Sequence, residues 1–501
     1  MKNSARIAAA GILLLCSLAQ ARADEVDKHV MQGIDHLYSV RFDDAARSFE
    51  KAIAADRSDP RGYFYRANVH LWSYVFDKRP AQLDLFLKLS DQGIAAAEKK
   101  ISANPRDSRS KLFLGMIYGY KAIANARADN FMAAALSARV CHDKLNEVVR
   151  NDSRAYDAYL GLGIFHFLIG SVPKAAQFMA GVGGMKGDAK QGLKEIEMVA
   201  RQGTYFRNDA QLILALLNVY YLEETGKGLA ELEKIANRYP NNVAILYAMA
   251  TTYLTEEQPD KAIGYYERVI RQGNNDFKVF TTLSYGRCGT GYFMKNDVAR
   301  AKPYLQKFIK NSDEKMYRAH AWYLLGLCFE MEGSRANALK AYDYVLKSPM
   351  HSSPEDKAAH RKAKILQKTP PTATDLDVIR ALNSLSAGNS TDARERANRI
   401  IANKNSTPAQ RAQAAYTLGR ALQQRGDCRG ALDAYRNAIA VRGHGETWVA
   451  PYSYFYTAEC HLKLGDREKW RANIDLAKSI SGYDNEPQLR FMMERDVTLI
   501  D

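Results

Sequence analysis

The sequence predicts an all-α fold of repeated helical hairpins, and two observations support this. The chain of 501 residues is 47% hydrophobic and 25% charged with 14 prolines, which is typical of a protein that buries a core. A pattern of large, small and aromatic residues returns with a constant internal interval of 16 residues. Length alone suggests about three domains, but a repeat array does not follow that count.

Residues 1–23 have the three parts of a secretory signal peptide. Lys2 and Arg6 form a basic start, residues 7–18 are apolar, and Ala21-Arg22-Ala23 supplies small residues for cleavage. The apolar run of 12 residues is shorter than the roughly 20 that a membrane-spanning helix needs. We therefore expect cleavage after Ala23, and export of the mature protein.

The repeats begin with a hairpin at Gly33, Ala45, Phe49 and Ala52 and continue towards the C-terminus. In each clear unit a large residue opens the first helix, a small residue follows four positions later, and an alanine in the second helix comes 16 positions after the large residue. The pairs of large residue and alanine are Leu246 and Ala262, Tyr285 and Ala301, and Trp322 and Ala338. The same interval separates Ala415 from Ala431, where an alanine takes the place of the large residue. In the last unit Trp470 replaces the alanine, as expected of a capping repeat.

Two segments interrupt the pattern. Residues 170–187 form a glycine-rich, largely apolar insertion, which is either a flap that helps to bind an apolar ligand or a loop packed on its neighbours. Residues 349–371 are basic and bracketed by prolines, so we interpret them as a connector. The predicted organisation is a signal peptide (1–23), an N-terminal solenoid (24–348), the connector (349–371) and C-terminal repeats (372–501).

This pattern resembles the tetratricopeptide repeat superfamily, specifically its exported bacterial members, over residues 26–481. The resemblance implies an α-solenoid whose hairpins form a right-handed superhelix with a concave binding groove. It also implies a periplasmic location. By carrying over the superfamily's groove positions, we expect a partner-binding surface at Tyr247, Thr251, Thr290, Tyr323, Tyr416, Arg420 and Phe455. These aromatic side chains either stack on a peptide or only fill space between hairpins.

Catalytic and cofactor motifs are missing from the sequence. There is no phosphate-binding loop, no zinc-protease or serine-hydrolase motif, and no CxxC pair. We therefore expect no enzymatic activity and no cofactor or metal. The leading hypothesis is a scaffold or adaptor that binds a peptide or protein partner in a cell-envelope assembly. The alternatives are an enzyme or enzyme subunit with its site at residues 170–187, and a protein attached to a membrane surface.

The net charge of +15 favours anionic partners in general. Acidic and basic residues are mixed along most of the chain, so no nucleic-acid partner is expected. The basic run at residues 357–368 is either a solvated helix face or a contact with an anionic membrane surface.

Six cysteines occur, and Cys16 would leave with the signal peptide. The repeat pattern places Cys428 and Cys460 towards the same end of neighbouring helices. In an oxidising compartment they can form a disulfide, and the alternative is a pair of reduced, buried thiols.

Overall fold

A computed structural model describes residues 22–77, 79–171, 187–222, 224–273, 277–312, 317–348, 353–440 and 446–500. Across these residues the chain is an all-α solenoid of helical hairpins, as predicted. None of the helices in these ranges combines the length and the apolarity needed to cross a membrane. The expected signal peptide lies almost entirely outside the described residues.

The described residues form two compact units, one within residues 1–245 and 274–279 and the other within residues 246–273 and 280–501. The helices up to the first boundary are α1 (22–38), α2 (Phe42–Ala55), α3 (Pro60–Asp77), α4 (Pro80–Ala103), α5 (Ser108–Arg127), α6 (Phe131–Asn151), α7 (Ala158–Ser171), α8 (Ala189–Gln202), α9 (Arg207–Tyr220) and α10 (Thr225–Arg238).

The remaining helices lie wholly or mainly in the second unit. They are α11 (Val243–Thr255), α12 (Pro259–Gln272), α13 (Lys278–Met294), α14 (Val298–Asn311), α15 (Arg318–Met331), α16 (Arg335–Lys347), α17 (Pro354–Lys368), α18 (Ala373–Ser386), α19 (Ser390–Ala402), α20 (Pro408–Gln424), α21 (Cys428–Ala440), α22 (Val449–Lys463), α23 (Arg467–Lys478) and α24 (Glu486–Ile500).

A glycine in the first helix of a hairpin faces an aromatic ring 16 residues later. A Cβ on Gly326 would lie 2.4 Å from Tyr342, and one on Gly419 would lie 2.5 Å from Tyr435. Both tyrosines are fully buried. The absence of a side chain therefore lets the two helices close on the ring, which explains why the repeat pattern requires a small residue there.

Trp470, which replaces the alanine of the last predicted repeat, is buried. Trp470 is 2% exposed and packs in one cluster with Ile474. Leu489 and Met493 of α24 cover this cluster. Among the described residues, helix α24 therefore packs over the bulky indole.

The proline-bracketed connector does not coincide with the division between the two units. The boundary of the first unit lies at Ile245, and residues 353–368 belong to the second unit. Pro354 stands in the first turn of α17, where proline is well tolerated, and Ser353 caps that helix. Ala359 and Ala363 are buried against α15 and α16, so this segment is part of the packed array.

In the first unit, α3, α5, α9 and the turn before α9 meet around buried aromatic rings. Phe113 packs edge-on against Phe64 at 5.5 Å. The Tyr120 hydroxyl donates a hydrogen bond to the Asp209 carboxylate at 3.1 Å. Burial raises the pKa of Asp209 to about 6. This core therefore holds a carboxyl group that titrates above its ordinary range.

Candidate functional site

The second unit contains a cavity of about 400 Å³ that draws its walls from five helices and three turns. We call it the aromatic cavity. Its lining residues are Glu257, His320, Tyr323, Glu355, Ala358, Ala359, Lys362, Leu382, Leu385, Ser386, Tyr416, Arg420, Trp448, Tyr452, Tyr456, Asp484 and Asn485. The array itself brings these residues together, since they span more than 200 positions of the sequence.

Five aromatic side chains dominate the walls. Trp448, at the start of α22, lies edge-on to Tyr416 with ring centres 5.0 Å apart and an interplanar angle of 86°. Along the same helix, the ring centres of Trp448 and Tyr452 are 6.1 Å apart, and those of Tyr452 and Tyr456 are 6.5 Å apart. These three rings form a row that we call the ring ladder. Tyr323 lines the cavity from α15.

The tyrosine hydroxyls of this site remain protonated near neutral pH. Burial raises the pKa of Tyr323, Tyr416, Tyr452 and Tyr456 above the ordinary value for a phenol. Each side chain therefore offers an apolar ring face together with a neutral hydroxyl that donates or accepts a hydrogen bond.

One side of the cavity is closed by an ion pair between distant parts of the second unit. Arg420 Nη2 of α20 lies 3.1 Å from Glu257 Oε1, in the turn after α11. The guanidinium carbon of Arg420 also lies 3.8 Å from the centre of the Tyr456 ring. Gln424 donates a hydrogen bond to the same carboxylate. Burial raises the pKa of Glu257, and the charge of Arg420 offsets part of that effect.

His320 enters the cavity as a neutral imidazole. Burial, and then the charge of Arg287, lowers the pKa of His320 to about 4. The buried Asp356 carboxylate accepts hydrogen bonds from the backbone N–H groups of Tyr317 and His320, both at 2.8 Å. Because Asp356 belongs to α17, this helix fixes the first turn of α15 and thereby the position of His320.

Three of the predicted groove residues line the aromatic cavity: Tyr323, Tyr416 and Arg420. Thr290 lines a small side pocket of about 30 Å³, which shares His320 and Glu355 with the cavity. The cavity lining does not include Tyr247 or Thr251.

The tyrosine and threonine of the first groove unit pack within the hairpins. The Tyr247 ring lies 5.5 Å from Tyr266 and 5.0 Å from Phe280. The Thr251 hydroxyl is 3.0 Å from that of Tyr266. A role for these two residues in partner binding stays a prediction.

Phe455 is placed in the core rather than in the groove, which corrects its assignment to the partner-binding surface. It is 2% exposed and packs in one cluster with Trp470. Adjacent helical residues point about 100° apart, so Tyr456 lines the cavity instead.

The ring ladder itself was not predicted from the sequence. Trp448, Tyr452 and Tyr456 recur every four residues, which places them on one helix face. This spacing could have identified the ring ladder from the sequence. The groove positions carried over from the superfamily do not include these three residues. Glu257 carries no such signal, since its partner Arg420 lies 163 residues away.

The basic run at residues 357–368 is partly engaged with carboxylates of the second unit. Arg361 forms ion pairs with Glu446 and Asp484. Lys362 Nζ lies 3.8 Å from Glu446. Lys357, Lys364 and Lys368 are exposed on the outer face of α17.

Cys428 and Cys460 are neighbours in the core of the second unit. Both are buried and are free thiols in the structure. Burial, followed by a hydrogen bond with Cys428, raises the pKa of Cys460 to about 12. The expected disulfide remains a prediction.

The first unit contains a second cavity of about 280 Å³ between α5, α6 and α7. Its lining is almost wholly apolar and includes Met116, Ile123, Phe165 and Leu168. The predicted insertion begins beside it, and residues 172–186 lie outside the described residues. Its described ends meet, because a Cβ on Gly187 would lie 2.4 Å from the Gly170 nitrogen.

Comparison with known proteins supports the repeat assignment. A family model described as Iml2/Tetratricopeptide repeat protein 39 matches residues 155–378. A second, described as Tetratricopeptide repeat, matches residues 30–71 and 416–469. The general transcriptional corepressor trfA of Dictyostelium discoideum is 27% identical over 124 residues, which are 25% of this chain and 8% of that protein.

Two solved structures are similar over most of their length. Yeast Tom70 is 10% identical, with 89% of this chain and 97% of that chain covered and a TM-score of 0.31. The P58(IPK) TPR domain is 15% identical, with 88% and 99% covered and a TM-score of 0.24.

Proposed function

The chain is a tetratricopeptide-type helical repeat protein, and from this premise we propose that it is a non-enzymatic scaffold that binds a peptide or protein partner in the aromatic cavity. The observation that carries the proposal is the convergence of Tyr323, Tyr416, Trp448, Tyr452 and Tyr456 on one open space. Tyrosine and tryptophan are enriched at binding interfaces because each combines a large apolar ring with a polar group.

The polar groups of these rings are available to a partner. Within the described residues, the hydroxyls of Tyr323, Tyr452 and Tyr456 and the indole N–H of Trp448 have no hydrogen-bond partner. A pocket with a mostly apolar wall and a few convergent polar groups is the usual form of a ligand site.

We also propose that the protein acts in the periplasm, in an assembly of the cell envelope. The support for this location is the signal-peptide pattern of residues 1–23. Sequencing the N-terminus of the protein from the envelope fraction is expected to give Asp24. Recovery of Met1 in that fraction would contradict export with cleavage.

The experiment that tests the scaffold function places a photo-crosslinking amino acid at Tyr452 of the full, exported chain. The matched control places it at Phe491, an exposed aromatic residue of α24 that is 51% accessible. We expect one protein to be crosslinked reproducibly at Tyr452 and not at Phe491. The purified partner should then bind the Tyr452→Ala variant at least about tenfold more weakly. Equal crosslinking at both positions would refute a specific partner site.

A further inference from the structure

The spacing of the ring ladder restricts the conformation of a bound chain. The ring centres follow one another at 6.1 and 6.5 Å. In an extended strand, side chains on one face repeat every two residues, at about 6.6 to 6.8 Å. A polyproline helix repeats only every three residues, at about 9.3 Å. The ladder therefore matches alternate side chains of an extended segment.

A helical peptide has a similar spacing, since residues four apart along a helix are separated by about 6 Å. The polar groups of the wall distinguish the two conformations. A helix satisfies its own backbone hydrogen bonds, whereas an extended chain brings an unpaired N–H and C=O at every residue. The free hydroxyls of Tyr452 and Tyr456 and the N–H of Trp448 provide partners for such groups.

Most charges of the wall already have counter-charges. Arg420 is paired with Glu257, and Asp484 is paired with Arg361. Lys362 lies 3.8 Å from Glu446. A charged side chain placed beside these paired groups loses water without gaining a free counter-ion, which is costly.

Glu355 is the one lining carboxylate without an ion pair among the described residues. It lines both the aromatic cavity and the side pocket, which Arg287 also lines. Apart from Glu355, the charged side chains of the wall are therefore paired, which favours an uncharged segment beside the ring ladder.

We propose that the aromatic cavity binds an extended, uncharged peptide segment in which every second side chain is aromatic or large and apolar. These alternate side chains lie on the rings of Trp448, Tyr452 and Tyr456, and the backbone between them hydrogen-bonds to their polar groups. This inference rests on the proposed function and adds the sequence pattern that the partner must present.

The test uses the full mature chain and synthetic hexapeptides with acetylated and amidated ends. The first peptide alternates tyrosine and serine, and the second has the same composition with three tyrosines followed by three serines. In two further peptides, lysine or glutamate replaces two serines of the alternating one. We expect calorimetry to show at least tenfold tighter binding of the alternating peptide than of the block peptide, and tenfold weakening by either charge. Equal affinities for the alternating and block peptides would overturn the proposal.

Substitutions in the ring ladder test whether the peptide binds at these rings. Tyr452→Ala is expected to weaken the alternating peptide at least tenfold, and Trp448→Phe, which keeps a ring but removes the N–H, about two- to tenfold. Phe491→Ala is the control, and circular dichroism verifies that each variant is folded. If Tyr452→Ala binds the alternating peptide as tightly as the unchanged protein does, the assigned position is wrong.

The two proposals fail in different ways. A partner crosslinked at Tyr452 together with indifference to peptide order would retain the scaffold function and refute the alternating pattern. Pattern-specific peptide binding without a crosslinked protein would uphold the pattern and refute the scaffold function.

Discussion

Arg420 and Glu257 are 163 residues apart in sequence and form a 3.1 Å ion pair within the second unit. Their side chains are 16% and 30% exposed, so water screens the pair only in part. Neighbouring contacts join the same parts of the array, since Asn383 Nδ2 donates to the Phe293 carbonyl at 2.9 Å. The hairpins of this unit therefore curve back on one another, and the aromatic cavity lies beside this closure.

Removing the Arg420 side of the ion pair should destabilise the second unit. Arg420→Met leaves Glu257 partly buried without its cation, and we expect the free energy of unfolding to fall by about 1 to 3 kcal/mol. Denaturant unfolding measures this change. The control is Arg436→Met, because the Arg436–Asp433 pair is 76% and 70% exposed and should contribute less than about 0.5 kcal/mol. If both variants lost the same free energy of unfolding, the Arg420–Glu257 ion pair would contribute no more to stability than an exposed pair does.

The packing of the repeats predicts opposite effects for two glycine-to-alanine changes. Gly326→Ala places a methyl group 2.4 Å from the buried Tyr342 ring, and we expect a loss of about 1 to 3 kcal/mol. Gly264→Ala, also in a helix, meets nothing within 4 Å and should gain up to about 1 kcal/mol from helix propensity. Thermal melting compares the two, and a Gly326→Ala variant that melts no lower than the unchanged protein would contradict the predicted alignment of the hairpins.

The first unit should lose stability as the pH rises through the titration range of Asp209. Its pKa of about 6 in the folded chain exceeds the ordinary value of 3.8, so the folded state binds the proton more tightly than the unfolded state does. Stability from this group is therefore highest near pH 4 and falls by about 1 to 3 kcal/mol towards pH 7.

Asp209→Asn removes that titration and retains an oxygen to accept the Tyr120 hydroxyl. Denaturant unfolding of both proteins from pH 4 to pH 7 gives the comparison. The variant should gain stability relative to the unchanged protein as the pH rises. Parallel pH profiles would show that Asp209 has an ordinary pKa.

Export should oxidise the neighbouring thiols of Cys428 and Cys460. If the proposed export takes place, peptide mapping without reduction of protein from the envelope fraction should recover the two cysteine peptides linked. Protein expressed without residues 1–23 in a reducing cytoplasm should yield both peptides as free thiols. If both residues of the exported protein alkylate fully after denaturation without reduction, there is no bridge.

Local packing explains why the fold was predictable from the sequence. Gly326 and Tyr342 lie in one hairpin, and their interval depends only on two helices and the turn between them. The same holds for Gly419 and Tyr435. Patterns of this kind appear in the sequence because the residues that must fit together are close along the chain.

The site was harder to predict because its geometry accumulates over many repeats. The contact between Glu257 and Arg420 depends on the small rotations between all the hairpins that separate them. A pattern within one repeat therefore does not predict this contact. The prediction assigned Phe455 to the groove, but its ring lies in the core, and the next residue, Tyr456, lines the cavity. The prolines around residue 354 suggested a break, whereas Pro354 begins α17 and that helix packs into the array.

The contact between Gly170 and Gly187 has a consequence for protein engineering. The backbone leaves α7 and returns to α8 at nearly the same point, so the separation between these helices does not depend on the number of residues connecting them. The entropy of closing a loop changes only slowly with its length. This position is therefore suited to shortening, to the introduction of an affinity tag, or to grafting a reporter domain whose own termini lie close together.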